Sequence, residues 1–159
     1  MEDNSLVIDN IKAITFSKKA ISISPYYRPI YRIAQICLIL ELSSRSKKAS
    51  IKKLHYLSWI MRSRNDMEKT KLHITNSVKP PVTIWRWEPS LNRAITLAKS
   101  ESMINSIGGK FTLTDKGTKF VKSIINEDSI MVNEKEFLES IGKKISESFI
   151  ERIVKMKVE

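Results

Sequence analysis

The stretch that decides the fold of this 159-residue chain is Met103-Ile104-Asn105-Ser106-Ile107-Gly108-Gly109-Lys110-Phe111-Thr112-Leu113-Thr114-Asp115-Lys116-Gly117. A short apolar run leads into Gly108-Gly109, and this pair supplies the positive φ angles that a tight hairpin turn requires. Residues 110–113 alternate and predict the second strand of the hairpin. Thr114 is a good N-cap, so a helix is expected directly after it. A β-hairpin joined to a helix N-terminus is the form of the wing in a winged helix.

Helical patterns precede the hairpin. Pro29 suits the first turn of a helix over residues 30–42, which is apolar on most sides and is therefore expected to be central and buried. Ser50 is a good N-cap for a second helix, which is basic. The alternating residues 82–87 predict a short strand. Pro89 then begins a third helix.

Further cap residues divide the rest of the chain. Glu88 or a neighbour is expected to cap the third helix, and Asn133 is expected to cap a C-terminal helix. Gly142 interrupts that helix. Ser148, with a Glu three residues later, resembles a capping box for the last helix, and Ser146 is an equal candidate.

The order of these elements predicts the domain organisation. Two helices, a strand, a helix, a hairpin and a helix match a winged helix-turn-helix domain over residues 25–126, mainly α with a small β-hairpin. Residues 1–24 are expected to form an N-terminal arm, and residues 127–159 a C-terminal helical appendage. A chain of this length can bury a core of its own.

The composition is that of a soluble globular protein, with 42% apolar and 28% charged residues. No apolar run approaches the roughly 20 residues of a membrane span, and the polar, acidic N-terminus predicts no signal peptide. The single Cys37 has no partner for an internal disulfide, and its apolar neighbours predict a buried thiol. We expect a cytoplasmic protein.

Positive charge is the unusual feature of the composition. The formal net charge of +11 favours polyanions or acidic protein surfaces as partners. Residues 1–87 carry 16 Lys and Arg against 6 Asp and Glu, so that +10 of the total lies there. The hairpin and the helix before it are nearly neutral. We therefore expect the wing to pack or to meet protein, and a basic surface elsewhere to meet any DNA.

Residue patterns typical of catalysis are missing from the sequence. His55 and His73 are far apart and Cys37 is remote from both, so they form no metal signature. Gly108-Gly109 lacks the strand–loop–helix context and the Lys of a phosphate loop. The acidic residues are too scattered for a paired Mg²⁺ site. We expect a protein that is not an enzyme and that holds no cofactor or metal.

The basic segment 50–64 is the first candidate for nucleic-acid binding. Its cations are placed to lie on a phosphate backbone, and the alternative is a solvated helix face. The four candidate residues are Lys52, Lys53, Arg62 and Arg64.

The third helix has the position of a recognition helix. Asn92, Arg93 and Lys99 are its candidates for reading base edges, but two nearby glutamates offset their charge. Lys110 is the only basic residue of the wing. The sequence therefore gives little support to base-specific recognition.

Aromatic residues beside arginine are the candidates for a protein interface, where Trp, Tyr and Arg are enriched. Trp85 and Trp87 flank Arg86 and would point the same way from a strand, and the alternative is a core face. Trp59 lies off the main apolar stripe of its helix. The Tyr26-Tyr27 pair has the same two interpretations as the tryptophans.

The sequence resembles a known family in four places. They are Arg28-Pro29 before an apolar helix, Trp59-Ile60-Met61-Arg62, the stretch from Pro81-Val82-Thr83-Ile84-Trp85-Arg86 to Glu88-Pro89-Ser90-Leu91-Asn92-Arg93-Ala94-Ile95, and Phe111-Thr112-Leu113-Thr114-Asp115-Lys116-Gly117. Together they are similar to the small middle component of bacterial ABC-ATPase three-component defence systems of the Lamassu type, over residues 25 to about 156. The Leu-Thr-x-x-Gly piece also occurs in many winged-helix transcription factors.

The resemblance implies a non-catalytic adaptor. The small subunit of such systems sits with an SMC-like ATPase and an effector subunit, often a nuclease, in a complex that responds to phage or plasmid DNA. The family has no catalytic residues to carry over. A winged-helix transcriptional regulator remains the alternative, with its C-terminal helices as a dimer seam, and a replication or partition module is a third.

Overall fold

A computed structural model describes residues 24–76 and 85–156, which form a mainly helical protein with one small antiparallel sheet. Two short 3₁₀ turns lie at Pro25–Tyr27 and Arg45–Lys47. The elements in chain order are α1 Pro29–Leu42, β1 Lys48–Ser50, α2 Ile51–Ile60, α3 Arg64–Asn76, α4 Pro89–Ser100, β2 Ile104–Ile107, β3 Lys110–Leu113, α5 Asp115–Ile125, α6 Val132–Ile141 and α7 Glu147–Met156. Residues 1–23 of the predicted arm 1–24 lie outside the described residues, as do residues 82–84 of the predicted strand 82–87.

The sheet has the order β1-β3-β2, and both pairings are antiparallel. The predicted hairpin is confirmed: Ile104 pairs with Leu113, and the turn residues Gly108 and Gly109 have φ angles of 56° and 74°. Sequence analysis missed β1, which pairs with the other edge of β3 and brings Ser50 opposite Lys110.

Helix α1 forms the centre of the core, as its apolar pattern predicts. Residues 32–40 are all buried, and the helix packs against α2, α4, α5 and α6. Cys37 is one of these residues, and burial raises the pKa of its thiol to about 12. A helix surrounded in this way fixes the positions of the elements around it.

Two predicted helix caps are present. The Ser50 hydroxyl accepts a hydrogen bond from Lys53 N at 3.2 Å, and the Thr114 hydroxyl accepts one from Gly117 N at 3.0 Å. Gly117 also faces the carbonyl group of Met103, and a Cβ at this position would overlap it. Glycine is therefore required where α5 crosses the base of the hairpin.

Two sequence expectations are corrected, and two others are made more specific. Residues 85–87 of the predicted strand have no strand structure. Glu88 occupies the N-cap position of α4, as expected, but its side chain makes no cap bond. Met131, in the left-handed region at φ 50°, occupies the N-cap of α6 in place of Asn133. Of the two serines proposed for α7, Ser146 accepts the capping bond, from Phe149 N at 3.2 Å.

Within the described parts of the chain, none of the helices is both long and apolar enough to cross a membrane.

Candidate functional site

Segment 85–88 leads into α4, and His55 of α2 holds it in place. The imidazole Nδ1 accepts a hydrogen bond from Glu88 N at 3.3 Å, so Nε2 carries the proton and donates to Asn92 Oδ1 at 2.8 Å. Burial lowers the pKa of His55, which keeps the ring neutral at pH 7. The ring also lies against Trp87, with centroids 4.3 Å apart. One buried histidine thus fixes the backbone on which Trp87 is displayed.

A buried ion network closes the same segment onto α1. Glu88 accepts hydrogen bonds from the guanidinium groups of Arg32 and Arg62, the latter at 2.5 Å. Arg32 is only 2% exposed and also donates to Ser58 Oγ at 2.7 Å and to the Tyr26 carbonyl at 2.9 Å. A charge buried this deeply persists only when it is paired and hydrogen-bonded. The network therefore ties together α1, α2, the 3₁₀ turn at Pro25–Tyr27 and the start of α4.

A cleft of about 560 Å³ lies beside this network. Tyr26 and Tyr27 line it from the 3₁₀ turn, Trp59 from α2, and Arg86 and Trp87 from the segment before α4. Tyr27 and Trp87 are 70% and 49% exposed, which is unusual for side chains with so much apolar surface.

Arg62 stiffens one wall of the cleft. Its guanidinium lies over the Tyr26 ring at 5.5 Å and over the Trp59 ring at 5.0 Å from the ring centroids. Stacking of this kind contributes about 0.5–1 kcal/mol at partly exposed sites. Arg62 therefore contacts aromatic rings from two different elements of the cleft wall.

A smaller hollow of about 180 Å³ continues the cleft along α4 and is lined by Tyr27, Arg93 and Leu97. Leu97 is 39% exposed. Neither Arg86 nor Arg93 makes a hydrogen bond or ion pair within the described residues. The cleft thus combines exposed apolar surface with two cations that are free to pair with acidic groups.

Five of the six residues proposed for a partner interface line this one cleft, although they come from three separate parts of the sequence. The sixth, Trp85, is 4% exposed, so the core interpretation holds for it. Trp85 and Trp87 contact each other, with centroids 5.5 Å apart, but they differ in burial.

Sequence reasoning missed Arg32 and the clamping role of Glu88. Arg32 is the only charged residue in the apolar run 30–40. A lone charge inside an apolar helix indicates a buried carboxylate partner elsewhere in the chain. That signal was available, although the sequence did not indicate which acid it meets.

The four cations proposed for nucleic-acid binding do not lie on one helix. Helix α2 ends at Ile60. Lys52 is exposed, but Lys53 is buried and its Nζ donates to the Ser43 carbonyl at 2.6 Å. Arg62 forms an ion pair with Glu88, and Arg64 donates a hydrogen bond to Asn133 Oδ1 at 3.0 Å. Binding of DNA by these side chains stays a prediction, but not as a single continuous helix face.

The outer face of α4 is largely occupied with local bonds. Asn92 Oδ1 meets His55, Thr96 Oγ1 donates to the Asn92 carbonyl at 3.1 Å, and Ser100 Oγ donates to the Thr96 carbonyl at 3.1 Å. Arg93 and Lys99 remain as polar groups free to reach a base edge. The outer face of α4 therefore offers few side chains for base-specific recognition of DNA.

Comparison of the chain with protein-family models, with curated proteins and with solved structures finds no match. In the described residues, no group of three or more His, Cys, Asp or Glu side chains is placed to hold a metal ion.

Proposed function

We propose that this chain is a non-catalytic winged-helix adaptor that joins an SMC-like ATPase to an effector nuclease in a DNA-sensing defence complex of the Lamassu type. The observation that carries the proposal is the convergence of Tyr26, Tyr27, Trp59, Arg86 and Trp87 on one cleft. These residue types dominate the binding energy of protein interfaces. The cleft has the composition of such an interface.

The order of elements supports the winged-helix part of the proposal. Strand β1 follows α1, three helices come next, and the β2–β3 hairpin follows α4. Strand β1 pairs with β3, so the strand after the first helix closes the base of the hairpin. In this proposal β2 and β3 form the wing and α4 takes the place of the recognition helix.

The charges of the cleft support a particular kind of partner segment. Arg86 and Arg93 are free to pair with carboxylates, whereas the exposed faces of Tyr27 and Trp87 need apolar cover. The ATPase is therefore expected to present a short segment that carries an aromatic or aliphatic anchor flanked by Asp or Glu. Docking of that segment covers both tyrosines and Trp87.

The alternative function, a transcriptional regulator, has less support. A regulator reads bases from an outward face rich in Arg, Lys, Asn and Gln. Here the outward face of α4 carries the exposed Leu97, and its Asn92 is bonded to His55. We therefore place DNA contact on phosphate groups rather than on bases.

Co-purification tests the proposal. Tagged chain expressed from its own genomic locus is isolated at moderate salt, and bound proteins are identified by mass spectrometry. Recovery of a large coiled-coil ATPase with the wild type, and its loss with Arg86→Ala/Trp87→Ala, is the expected result. Leu72→Ala removes an apolar side chain that is 56% exposed elsewhere and is the matched control. A stable homodimer that binds one palindromic sequence tightly in high salt would overturn the proposal in favour of the regulator.

A further inference from the structure

A second pocket lies away from the aromatic cleft, at the base of the hairpin. It has a volume of about 430 Å³ and is formed by the turn before β1, the first turn of α2, the start of β3 and the N-terminus of α7. Four of its lining side chains are cations, and two are hydroxyls. They are Arg45, Lys48, Lys53, Lys110, Ser146 and Ser148.

Strand pairing explains why the cations converge. Ser50 lies opposite Lys110 in the β1–β3 ladder, and Lys48 is two residues before Ser50 on the same face. Ala49 points to the other face and is fully buried in the core. The sheet register therefore brings two lysines from distant parts of the sequence to one side of the pocket.

Lys53 lies at the buried side of the pocket. It is 2% exposed, and its Nζ donates to one neutral acceptor, the Ser43 carbonyl, at 2.6 Å. Burial is the main reason that the pKa of its ammonium group is lowered to about 8; the charge of Glu147 acts against this shift, and the charges of Arg45 and Lys110 add to it. Keeping this buried ammonium charged is unfavourable, and the carboxylate of Glu147 offsets that cost only in part.

Glu147 is the one carboxylate among the described lining residues, and its single charge offsets only part of the charge of the four cations. Glu147 Oε1 accepts a hydrogen bond from Ser50 N at 2.8 Å. Within the described residues, none of the four cations forms an ion pair closer than 4.0 Å with any acid. The N-terminus of α7 adds the positive end of a helix dipole and the hydroxyls of Ser146 and Ser148. The pocket has excess positive charge, hydrogen-bond donors and room for a small anion.

We propose that this pocket binds a phosphoryl group, with Arg45, Lys53 and Lys110 as its charged donors and one hydroxyl of the hydrogen-bonded pair Ser146 and Ser148 as its neutral donor. A tetrahedral oxyanion supplies several acceptors, which suits donors that converge from different elements. The group is carried either by free phosphate or by a nucleic-acid backbone. If the group belongs to a nucleic-acid backbone, the pocket supplies part of the DNA contact of the proposed function, and the inference then rests on that function. Binding of free phosphate does not depend on it.

Two variants of the pocket and one control variant test the proposal. Arg45→Gln/Lys110→Gln removes two exposed cations without touching the core. Lys53→Met keeps the buried stem and removes the charge. Lys69→Gln/Lys119→Gln is the matched control, because it removes the same charge from exposed lysines outside the pocket.

Inorganic phosphate is titrated against the full chain at constant ionic strength, with chloride as the reference anion, and the thermal midpoint is followed. Labelled random-sequence duplex DNA is titrated over a range of salt concentrations by fluorescence anisotropy. If the source is a backbone phosphate, the pocket double variant binds DNA about tenfold more weakly and the slope of log K against log salt falls by about 1. The control double variant changes binding by less than about twofold.

Each outcome decides the proposal. Saturable stabilisation by phosphate that Lys53→Met and the pocket double variant abolish supports a free-phosphate site, and loss of DNA binding in the same variants supports a backbone site. The proposal is overturned if phosphate acts like chloride and the pocket and control variants bind DNA equally well. All the variants retain the ATPase partner if the aromatic cleft binds it, so failure of the pocket is distinguishable from failure of the adaptor function.

Discussion

The substitution Glu88→Gln tests the buried network that holds the cleft. It preserves the shape of the side chain but removes the negative charge between Arg32 and Arg62. Arg32 is 2% exposed and would become a buried charge without a counter-ion. Breaking a buried ion pair from one side costs about 3–5 kcal/mol.

The structure places the expected cost at the lower end of that range. Arg32 keeps hydrogen bonds to Ser58 Oγ and to the Tyr26 carbonyl, and the new amide retains an oxygen acceptor. Arg62 is 39% exposed at its side chain, so water replaces most of what it loses. We expect a loss of about 3 kcal/mol in the free energy of unfolding, which for a chain of this size lowers the thermal midpoint by about 6–12 °C.

Urea unfolding followed by circular dichroism measures the free energy, and tryptophan fluorescence reports the cleft. The emission of Glu88→Gln is expected to shift to longer wavelength, because segment 85–88 loses its anchor and Trp87 becomes more hydrated. Glu68→Gln is the control, since Glu68 forms an exposed pair with Lys71 one helical turn away. A loss below about 1 kcal/mol, equal to that of the control, would refute the view that Glu88 clamps the cleft.

Two further substitutions probe the hairpin and the proposed phosphate pocket. Gly117→Ala places a Cβ against the Met103 carbonyl, and we expect a loss of about 3 kcal/mol in urea unfolding, as for an overpacked site with a rigid neighbour; a neutral or stabilising effect would contradict the close approach. Lys53 has a pKa of about 8 in the folded chain against 10.5 for a free lysine. Between these two pH values the unfolded chain binds more protons than the folded chain. The contribution of Lys53 to the free energy of unfolding therefore increases as pH rises from about 8 to 10. The unfolding free energy of wild type minus that of Lys53→Met is therefore expected to rise over that interval, and a flat difference would contradict burial of the ammonium group.

The hairpin and its helix caps could be predicted because their signals are local. The hairpin turn requires positive φ angles, which Gly108 and Gly109 adopt. Thr114 and Ser50 each accept a cap hydrogen bond from the backbone N–H three residues later. The burial of α1 follows equally from its composition. These elements depend on residues close together in the sequence.

The missed features depend on contacts between distant residues. Strand β1 has three residues and exists because β3 offers it an edge. The N-cap of α6 differs from these, because Met131 takes a left-handed backbone conformation that its residue type does not indicate. A strand would place Trp85 and Trp87 on the same face, but their segment is held instead by the distant His55, and the two side chains differ in burial.

The candidate cleft was predicted in its parts but not as a whole. Residue type alone indicated Tyr26, Trp59 and Arg86 as interface candidates, because aromatic and arginine side chains are enriched among the residues that contribute most to binding energy. Their convergence could not be predicted, since it follows from packing of α2 and α4 on α1. The basic segment 50–64 does not form one continuous helix face, for a related reason. Helix α2 ends at Ile60, Lys53 is bonded to the Ser43 carbonyl, and Arg62 is paired with Glu88.

The affinity of the purified chain for the ATPase that we propose as its partner tests the central claim most directly. Isothermal titration of wild type, Arg86→Ala/Trp87→Ala and Leu72→Ala into that ATPase compares the cleft with an exposed apolar residue elsewhere. We predict that the cleft double variant loses at least about 100-fold in affinity, as for a pair of interface hot spots, while Leu72→Ala stays within about threefold of wild type. Equal affinities for all three proteins would contradict the assignment of the aromatic cleft as the partner-binding site.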